Sequence, residues 1–286
     1  IKGMEVFKWK DKRRKIKKRD TDRYAYGVGM ACGSHGNGYK GAHPDFTDVY
    51  MHIFSDGSVL VKISIHDQGC GTVTTLQQIA SEALDVSMEK VRILETDTIA
   101  TPYDSAGTQA SRVTFVCGGA VKSAGEKLKK KIVDVFCKFK SCDAANVVTS
   151  NGIIYEKGSC EKITYGDIAV FLEKECSESM SVFERYQSPA NPAVFAACFA
   201  EVKVDKYTGQ VEVLEFLAGH DIGKSINPLL VEGQVQGGAQ MSLGMALMEE
   251  IEIDKKGYVK SDNFSKYHML NSPQMPEVKV LTVEGN

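Results

Sequence analysis

The sequence carries almost no net charge, no CxxC cysteine pair and no long apolar run, and each shortage removes a class of function. Thirty-five basic side chains nearly balance thirty-seven acidic ones, for a formal net charge of −2, so nothing draws the whole molecule to nucleic acid or a membrane surface. The eight cysteines stand singly at Cys32, Cys70, Cys117, Cys137, Cys142, Cys160, Cys176 and Cys198. None has the Cys/His spacing of a zinc site. They read as reduced thiols of a cytoplasmic protein, mostly in the core, and not as a disulfide frame or a metal site. No segment is apolar over the length a bilayer requires, and no signal peptide is visible. The chain begins at Ile1 rather than Met, which suggests a piece of a longer protein.

What is present is a repeat. A chain of 286 residues with 43% hydrophobic content can bury one large core or two moderate ones, and a unit used twice favours two. In the first half, 47–54 and 58–65 alternate about Ser55-Asp56-Gly57, a hairpin signal. A helix at 74–84, a strand at 91–94, a long amphipathic helix at 114–139 and a helix at 165–172 follow. In the second half, strands at 193–204 and 211–218 flank the turn Asp205-Lys206-Tyr207-Thr208-Gly209, and Asn227-Pro228 starts a helix over 230–248.

The expected fold is α+β, two similar lobes of mixed sheet with packed helices. The polar run 176–181 marks the boundary, giving a basic lead segment (1–20), a first lobe (21–180) and a second lobe (181–286) expected to be truncated at its C-terminus. The lead segment carries Lys8, Lys10, Lys12, Arg13, Arg14, Lys15, Lys17, Lys18 and Arg19. With no aromatic platform or recognition motif beside them, these read as a solvated helical face or connector, with no nucleic acid as partner.

Each hairpin leads through His-Asp into a Gly-rich turn and then a helix: His66-Asp67-Gln68-Gly69-Cys70-Gly71 in the first half, His220-Asp221-Ile222-Gly223 in the second. Glycine lets backbone approach a ligand, and a helix N-terminus offers unpaired N–H groups that suit phosphate. Two such loops suggest one extended anionic ligand held between two halves. A third segment, Gly107-Thr108-Gln109-Ala110-Ser111-Arg112, precedes the long helix with small and hydroxyl side chains. It suits phosphate or the polar edge of a bicyclic ring, or is an ordinary capped loop. In the 230–248 helix, Gly233, Gly237, Gly238 and Gly244 each cost about 1 kcal/mol relative to Ala, for which close helix packing or approach of a ligand would account equally. Gln234 is the residue there whose amide could read a heterocycle. Cys70 beside His66 and Asp67 also admits an activated thiol, a weaker reading.

These segments, with Asp97-Thr98, Asn191-Pro192-Ala193-Val194-Phe195, Ile226-Asn227-Pro228 and Glu232-Gly233-Gln234-Val235-Gln236-Gly237-Gly238, run in order from about Gly27 to Glu284. Together they resemble the C-terminal portion of the molybdenum-cofactor-binding large subunit of the xanthine dehydrogenase and aldehyde oxidase family. The resemblance implies a molybdenum hydroxylase: an oxidoreductase that holds molybdenum through the dithiolene of a pterin, with no side-chain ligand to the metal. It hydroxylates an aldehyde or an N-heterocycle such as a purine with water as the oxygen source. A glutamate acts as general base, and electrons leave through iron–sulfur clusters and FAD on partner domains or subunits.

The positions matching family cofactor contacts are Gln68, Gly69, Cys70, Gly71, Thr108, Gln109, Ala110, Ser111 and Gln234. Their implied work is hydrogen bonding to molybdopterin and its phosphate, or to a cytosine nucleotide tail in the dinucleotide form. Cys70 stands where the family usually has Gln, with Gln68 two positions earlier as a substitute. The base glutamate is expected beyond Asn286, so no catalytic residue is assigned and the isolated chain is expected to be inactive. Implied partners are the remainder of the large subunit, the iron–sulfur and flavin subunits or domains, a small-molecule substrate and a second copy in a homo-oligomer, with no membrane. The reading from another class is a non-enzymatic binding or assembly module for a nucleotide-like ligand.

Overall fold

The computed structural model describes every residue except Glu95 and Asn286. In chain order the elements are α1 (Lys2–Val6), α2 (Trp9–Lys15), β1 (Tyr24–Gly36), β2 (Phe46–Ile53), β3 (Val59–Ile63), α3 (Thr72–Leu84), β4 (Val91–Leu94) and α4 (Gly118–Lys140). Then come β5 (Val147–Ser150), β6 (Ile153–Glu156), β7 (Ile163–Thr164), α5 (Tyr165–Cys176), β8 (Ser181–Gln187), β9 (Ala193–Asp205), β10 (Val211–Asp221), α6 (Pro228–Leu247) and β11 (Val278–Val283). They form two compact units, a middle one of Gly36–Ala193 and a terminal one of Ile1–His35 with Val194–Asn286.

In the middle unit a four-stranded sheet has the order β4-β3-β2-β8. Alternation along the strands turns Val49, Met51 and Ile53 of β2 and Val59, Val61 and Ile63 of β3 into the core. Onto that face pack Leu76, Ala80 and Leu84 of α3 and Ala120, Val121, Ala124, Leu128 and Ile132 of α4, spaced three and four apart as one helical stripe requires. Each large aliphatic side chain so buried contributes about 1.5–3 kcal/mol. A Cβ on Gly125 would lie 2.7 Å from that of Ala83, so α3 and α4 cross too closely for any larger residue there. A capping box starts α5: Thr164 Oγ1 accepts from Asp167 N at 3.1 Å, and Thr164 N donates to Asp167 Oδ2 at 3.2 Å. A small sheet of β5, β6 and β7 completes the unit.

In the terminal unit the sheet order is β1-β9-β10-β11. Adjacent residues of β10 point to opposite faces. Leu217 packs with Phe199 and with Phe7, which joins α1 to α2, whereas Phe216 and Ala218 pack with Ala239 and Leu243 of α6. This sheet is therefore covered by helix on both faces. Glu201 and Glu215 are register partners on β9 and β10, and Lys12 of α2 reaches both.

The repeat is present at the level of pairing. In the middle unit β2 and β3 are antiparallel, and after α3 the chain returns as β4 parallel to β3. In the terminal unit β9 and β10 are antiparallel, and after α6 it returns as β11 parallel to β10. The fold is α+β with mixed sheets.

Three expectations differ from the structure. Residues 181–187 do not open a second unit: β8 pairs antiparallel with β2 from Phe46↔Gln187 to His52↔Ser181, and the polar run before it is the turn after α5, where Ser177 takes φ 55°. The basic lead segment is helical but only partly solvated, since Phe7 and Ile16 are buried and Lys12 and Arg19 both reach Glu201. The cysteines are not mostly core: only Cys117 is buried, and Cys32, Cys160 and Cys176 are exposed. No helix among the described residues is long and apolar enough to cross a membrane.

Candidate functional site

The first glycine loop hangs from Ile65, buried at the end of the β3 segment, whose carbonyl accepts the Thr96 hydroxyl. Beyond it Asp67 folds the loop about its own carboxylate. Oδ1 accepts from Gly69 N and Gly71 N, each at 3.0 Å, and Oδ2 accepts from Val73 N at 3.3 Å. Gly69 and Gly71 have φ of 90° and 75°, conformations that glycine adopts without strain. The expectation of phosphate on these N–H groups is corrected: a carboxylate already holds the first turn of α3 and would repel a second anion. What the loop still offers is an open side, for nothing lies within 4 Å of a Cβ built on Gly69. Cys70 Sγ is 4.0 Å from Asp67 Oδ1, and no hydrogen bond joins it to His66 among the described residues. The nucleophile–base pair of an activated thiol is not formed.

Thr108 joins the third segment to this loop. Its Oγ1 accepts from His66 N at 2.7 Å, and its carbonyl accepts from Gln68 Nε2 at 3.4 Å. Gln68, Gly69, Cys70, Gly71 and Thr108 are thus brought together. Gln109 folds back, its Nε2 donating to Ala106 O at 2.5 Å. Ala110 and Ser111 both sit in the left-handed region, at φ 49° and 51°, which costs non-glycine residues of order 1–3 kcal/mol each.

Arg112 holds that strained turn in place. Its guanidinium is fully buried and forks between two carboxylates. Nε donates to Asp45 Oδ1 at 2.9 Å, and Nη1 donates to both Asp104 oxygens at 2.9 and 3.0 Å and to Gly107 O at 2.9 Å. Nη2 lies 2.8 Å from Asp45 Oδ1, outside hydrogen-bond alignment. Asp104 in turn accepts the N–H groups of Ala106 and Gly107. A wide π-helical turn, Val113–Cys117, then leads into α4. The Cys117 thiol is pushed up to about 12 by burial and by Asp104, so it stays protonated. Asp67 carries a sequence signal, an acidic residue ahead of Gly-x-Gly and a helix start. Nothing in the sequence pairs Arg112 with Asp45.

Gln234 belongs to the terminal unit, on an exposed face of α6. A Cβ on Gly233, Gly237 or Gly238 would meet nothing within 4 Å, whereas one on Gly244 would run into Glu249. Close packing within the chain accounts for Gly244 and not for the other three. Next to this helix, Asp221 Oδ1 accepts from Gly285 N at 3.1 Å. His220 Nδ1 and Ser225 Oγ are buried with no hydrogen-bond partner among the described residues, a condition folded chains rarely leave unmet. No cluster of three or more His, Cys, Asp or Glu that could hold a metal ion occurs among the described residues.

Known proteins share this architecture. The chain is 31% identical over 291 residues to the xanthine dehydrogenase molybdenum-binding subunit of Escherichia coli O157:H7, covering 100% of this chain and 38% of that subunit. It is 27% identical over 288 residues to the nicotine 6-hydroxylase large subunit of Paenarthrobacter nicotinovorans, covering 95% of this chain and 35% of that one. The crystal structure of the Cu,Mo-CO dehydrogenase in its carbon monoxide reduced state superposes with a TM-score of 0.89 at 24% identity, over 99% of this chain and 38% of that one, a likeness of fold. The chain thus spans a little over a third of these proteins. The sequence profile of the molybdopterin cofactor-binding domain matches residues 2–276, and to that family this chain belongs.

Proposed function

We propose that this chain supplies molybdopterin contacts within the large subunit of a molybdenum hydroxylase that oxidises an N-heterocycle such as a purine, or an aldehyde. The observation that carries the reading is the hydrogen-bonded junction of the 66–71 and 107–111 loops through Thr108. It gathers side-chain amides, hydroxyls and open glycine backbone in one place. This donor set fits the neutral, polar edge of a pterin better than its phosphate, because Asp67 already occupies the loop's N–H groups. The unpaired His220 Nδ1 and Ser225 Oγ and the uncovered glycines of α6 fit a ligand that approaches backbone closely.

When bound, the cofactor supplies a two-electron redox centre. The work of this chain's residues is to bind and orient it. Gln68 and Gln234 present amides that both donate and accept, Ser111 a hydroxyl, and Gly69 and Gly71 a close backbone surface beside Cys70. Arg112 fixes the turn that carries Gln109 and holds Ala110 and Ser111 in their strained geometry. No catalytic base is assigned to this chain. The remainder of the large subunit, iron–sulfur and FAD partners, a second copy and a cytosine dinucleotide tail on the pterin belong to the same reading. So does a cytoplasmic setting, which eight unpaired cysteines suit. The relatives' printed names, a xanthine dehydrogenase and a nicotine hydroxylase, favour an N-heterocycle over an aldehyde.

The test is Gln234→Ala in the full-length protein. Gln234 is exposed, so melting of the cofactor-free protein should not move, while pterin and molybdenum retention should weaken by about 1–3 kcal/mol as a buried polar group of the ligand loses its partner. Full molybdenum content in Gln234→Ala and in Ser111→Ala would show that these positions do not touch the cofactor.

A further inference from the structure

At the far end of α4 from the Ser111 turn, the helix stops in a left-handed cap at Ser141, φ 52°. Two N–H groups, of Ser141 and of Cys142, converge on the carbonyl of Cys137, the latter at 3.2 Å. This is the termination in which the residue two places past the last helical position hydrogen-bonds back to the carbonyl five residues earlier, and it brings those two side chains toward each other. Usually both are apolar. Here both are thiols, Cys137 and Cys142, each half-buried and unpaired, with Cys142 packed against the edge of the middle unit's core. The backbone of the cap thus sets the two thiol-bearing residues beside each other at the end of the helix.

We propose that Cys137 and Cys142 form a reversible dithiol–disulfide site at the C-terminal cap of α4. It stands on the cap geometry and does not rest on the cofactor reading. The oxidant is a low-molecular-weight disulfide. The Cys142 thiolate attacks one of its sulfurs and expels one thiolate; the Cys137 thiolate then attacks the Cys142 sulfur and expels the second. Two S–H bonds are lost, one S–S bond forms, two electrons pass to the small disulfide, and the two protons go to the thiolates released. Burial and the neighbouring Cys142 push the Cys137 thiol up to about 11, so exchange should quicken as pH rises toward that value. The loop closed is short, so the bond removes little unfolded-state entropy and exchanges readily. Once formed it fixes the last turn of α4 to the segment leading into β5.

The experiment incubates the intact protein with oxidised glutathione under native conditions, then alkylates, digests with trypsin and maps the peptides by mass. Cleavage at Lys131, Lys138, Lys140 and Lys157 separates the two cysteines. The expected product is therefore peptide 132–138 crosslinked to peptide 141–157 with loss of two hydrogens, reverting with dithiothreitol. The exposed Cys32, Cys160 and Cys176 should instead carry glutathione. In Cys137→Ser, Cys142 should accumulate glutathione because the resolving thiol is gone. Separate glutathione adducts on Cys137 and Cys142 in the unaltered protein, a crosslink from either to a third cysteine, or both remaining free while Cys32 is modified would each overturn the proposal.

Discussion

Thr108 accepts the backbone N–H of His66 through its hydroxyl, across 42 residues of sequence. The hydroxyl is thus part of the protein's own frame before any ligand arrives. Thr108→Val keeps the shape and leaves that N–H without its acceptor, so the cofactor-free protein should lose about 0.5–1.5 kcal/mol. A protein of this size should then melt roughly 2–4 °C lower per kcal/mol. Thr108→Ser, which restores the oxygen, should recover most of the loss in a thermal melt.

Arg112 is the largest fully buried side chain, and its partners Asp45 and Asp104 are buried with it. Arg112→Met leaves two carboxylates out of water without a counter-charge, a loss of about 3–5 kcal/mol. Urea denaturation should show it as a lower midpoint. Arg112→Lys keeps the charge but not the fork that spans both acids, and should recover only part of the difference.

Asp67 closes the first loop on itself. Asp67→Ala should cost about 0.5–2 kcal/mol as a lost helix cap. It should also expose the N–H groups of Gly69, Gly71 and Val73 to an incoming anion. Titration calorimetry with pyrophosphate should detect binding to Asp67→Ala and none to the unaltered protein; equal binding by both would mean that the carboxylate does not guard these donors.

Burial works against the charges of Glu201 and Glu215, but hydrogen bonds and ion pairs with Lys12, Arg19 and Lys279 outweigh it and hold both below the ordinary value of 4.5. Their contribution is fully present above that value and is lost as pH falls through the lower folded values. Acid should therefore loosen the terminal unit below about pH 4. Lys12→Met removes the cation shared by the two glutamates but leaves Arg19 on Glu201 and Lys279 on Glu215, so the variant should have a lower denaturation midpoint at neutral pH and should lose less of its stability on going to acid than the unaltered protein.

Local order was legible where a strand or helix announced itself by period. The hairpin about Asp56-Gly57, the helix stripe through Leu76 and Ala80, and the Asn227-Pro228 helix start all lie where pattern and punctuation place them. What escaped was pairing at long range. Nothing in 181–187 says that its neighbour is β2, and nothing in Lys8 to Arg19 says that Glu201 waits for two of its cations. At the candidate site the glycines were visible, but the use to which Asp67 is put was not. A loop that binds an outside anion and one closed by its own carboxylate share the same residues and differ only in the direction of one side chain.

The terminal unit is built from both ends of the chain, with β1 hydrogen-bonded to β9 in one sheet. Everything between them is an insertion, and this sets a schedule for synthesis. As the chain emerges, β1 cannot meet its partner β9 until roughly 160 further residues have been made, so a closure of low added entropy per residue waits on a long delay. The middle unit, with its sheet, core and both loops complete by Ala193, can fold in that interval. It brings its own two ends together through Asn37 N donating to Pro192 O at 2.9 Å, and so hands β1 and β9 to each other already side by side.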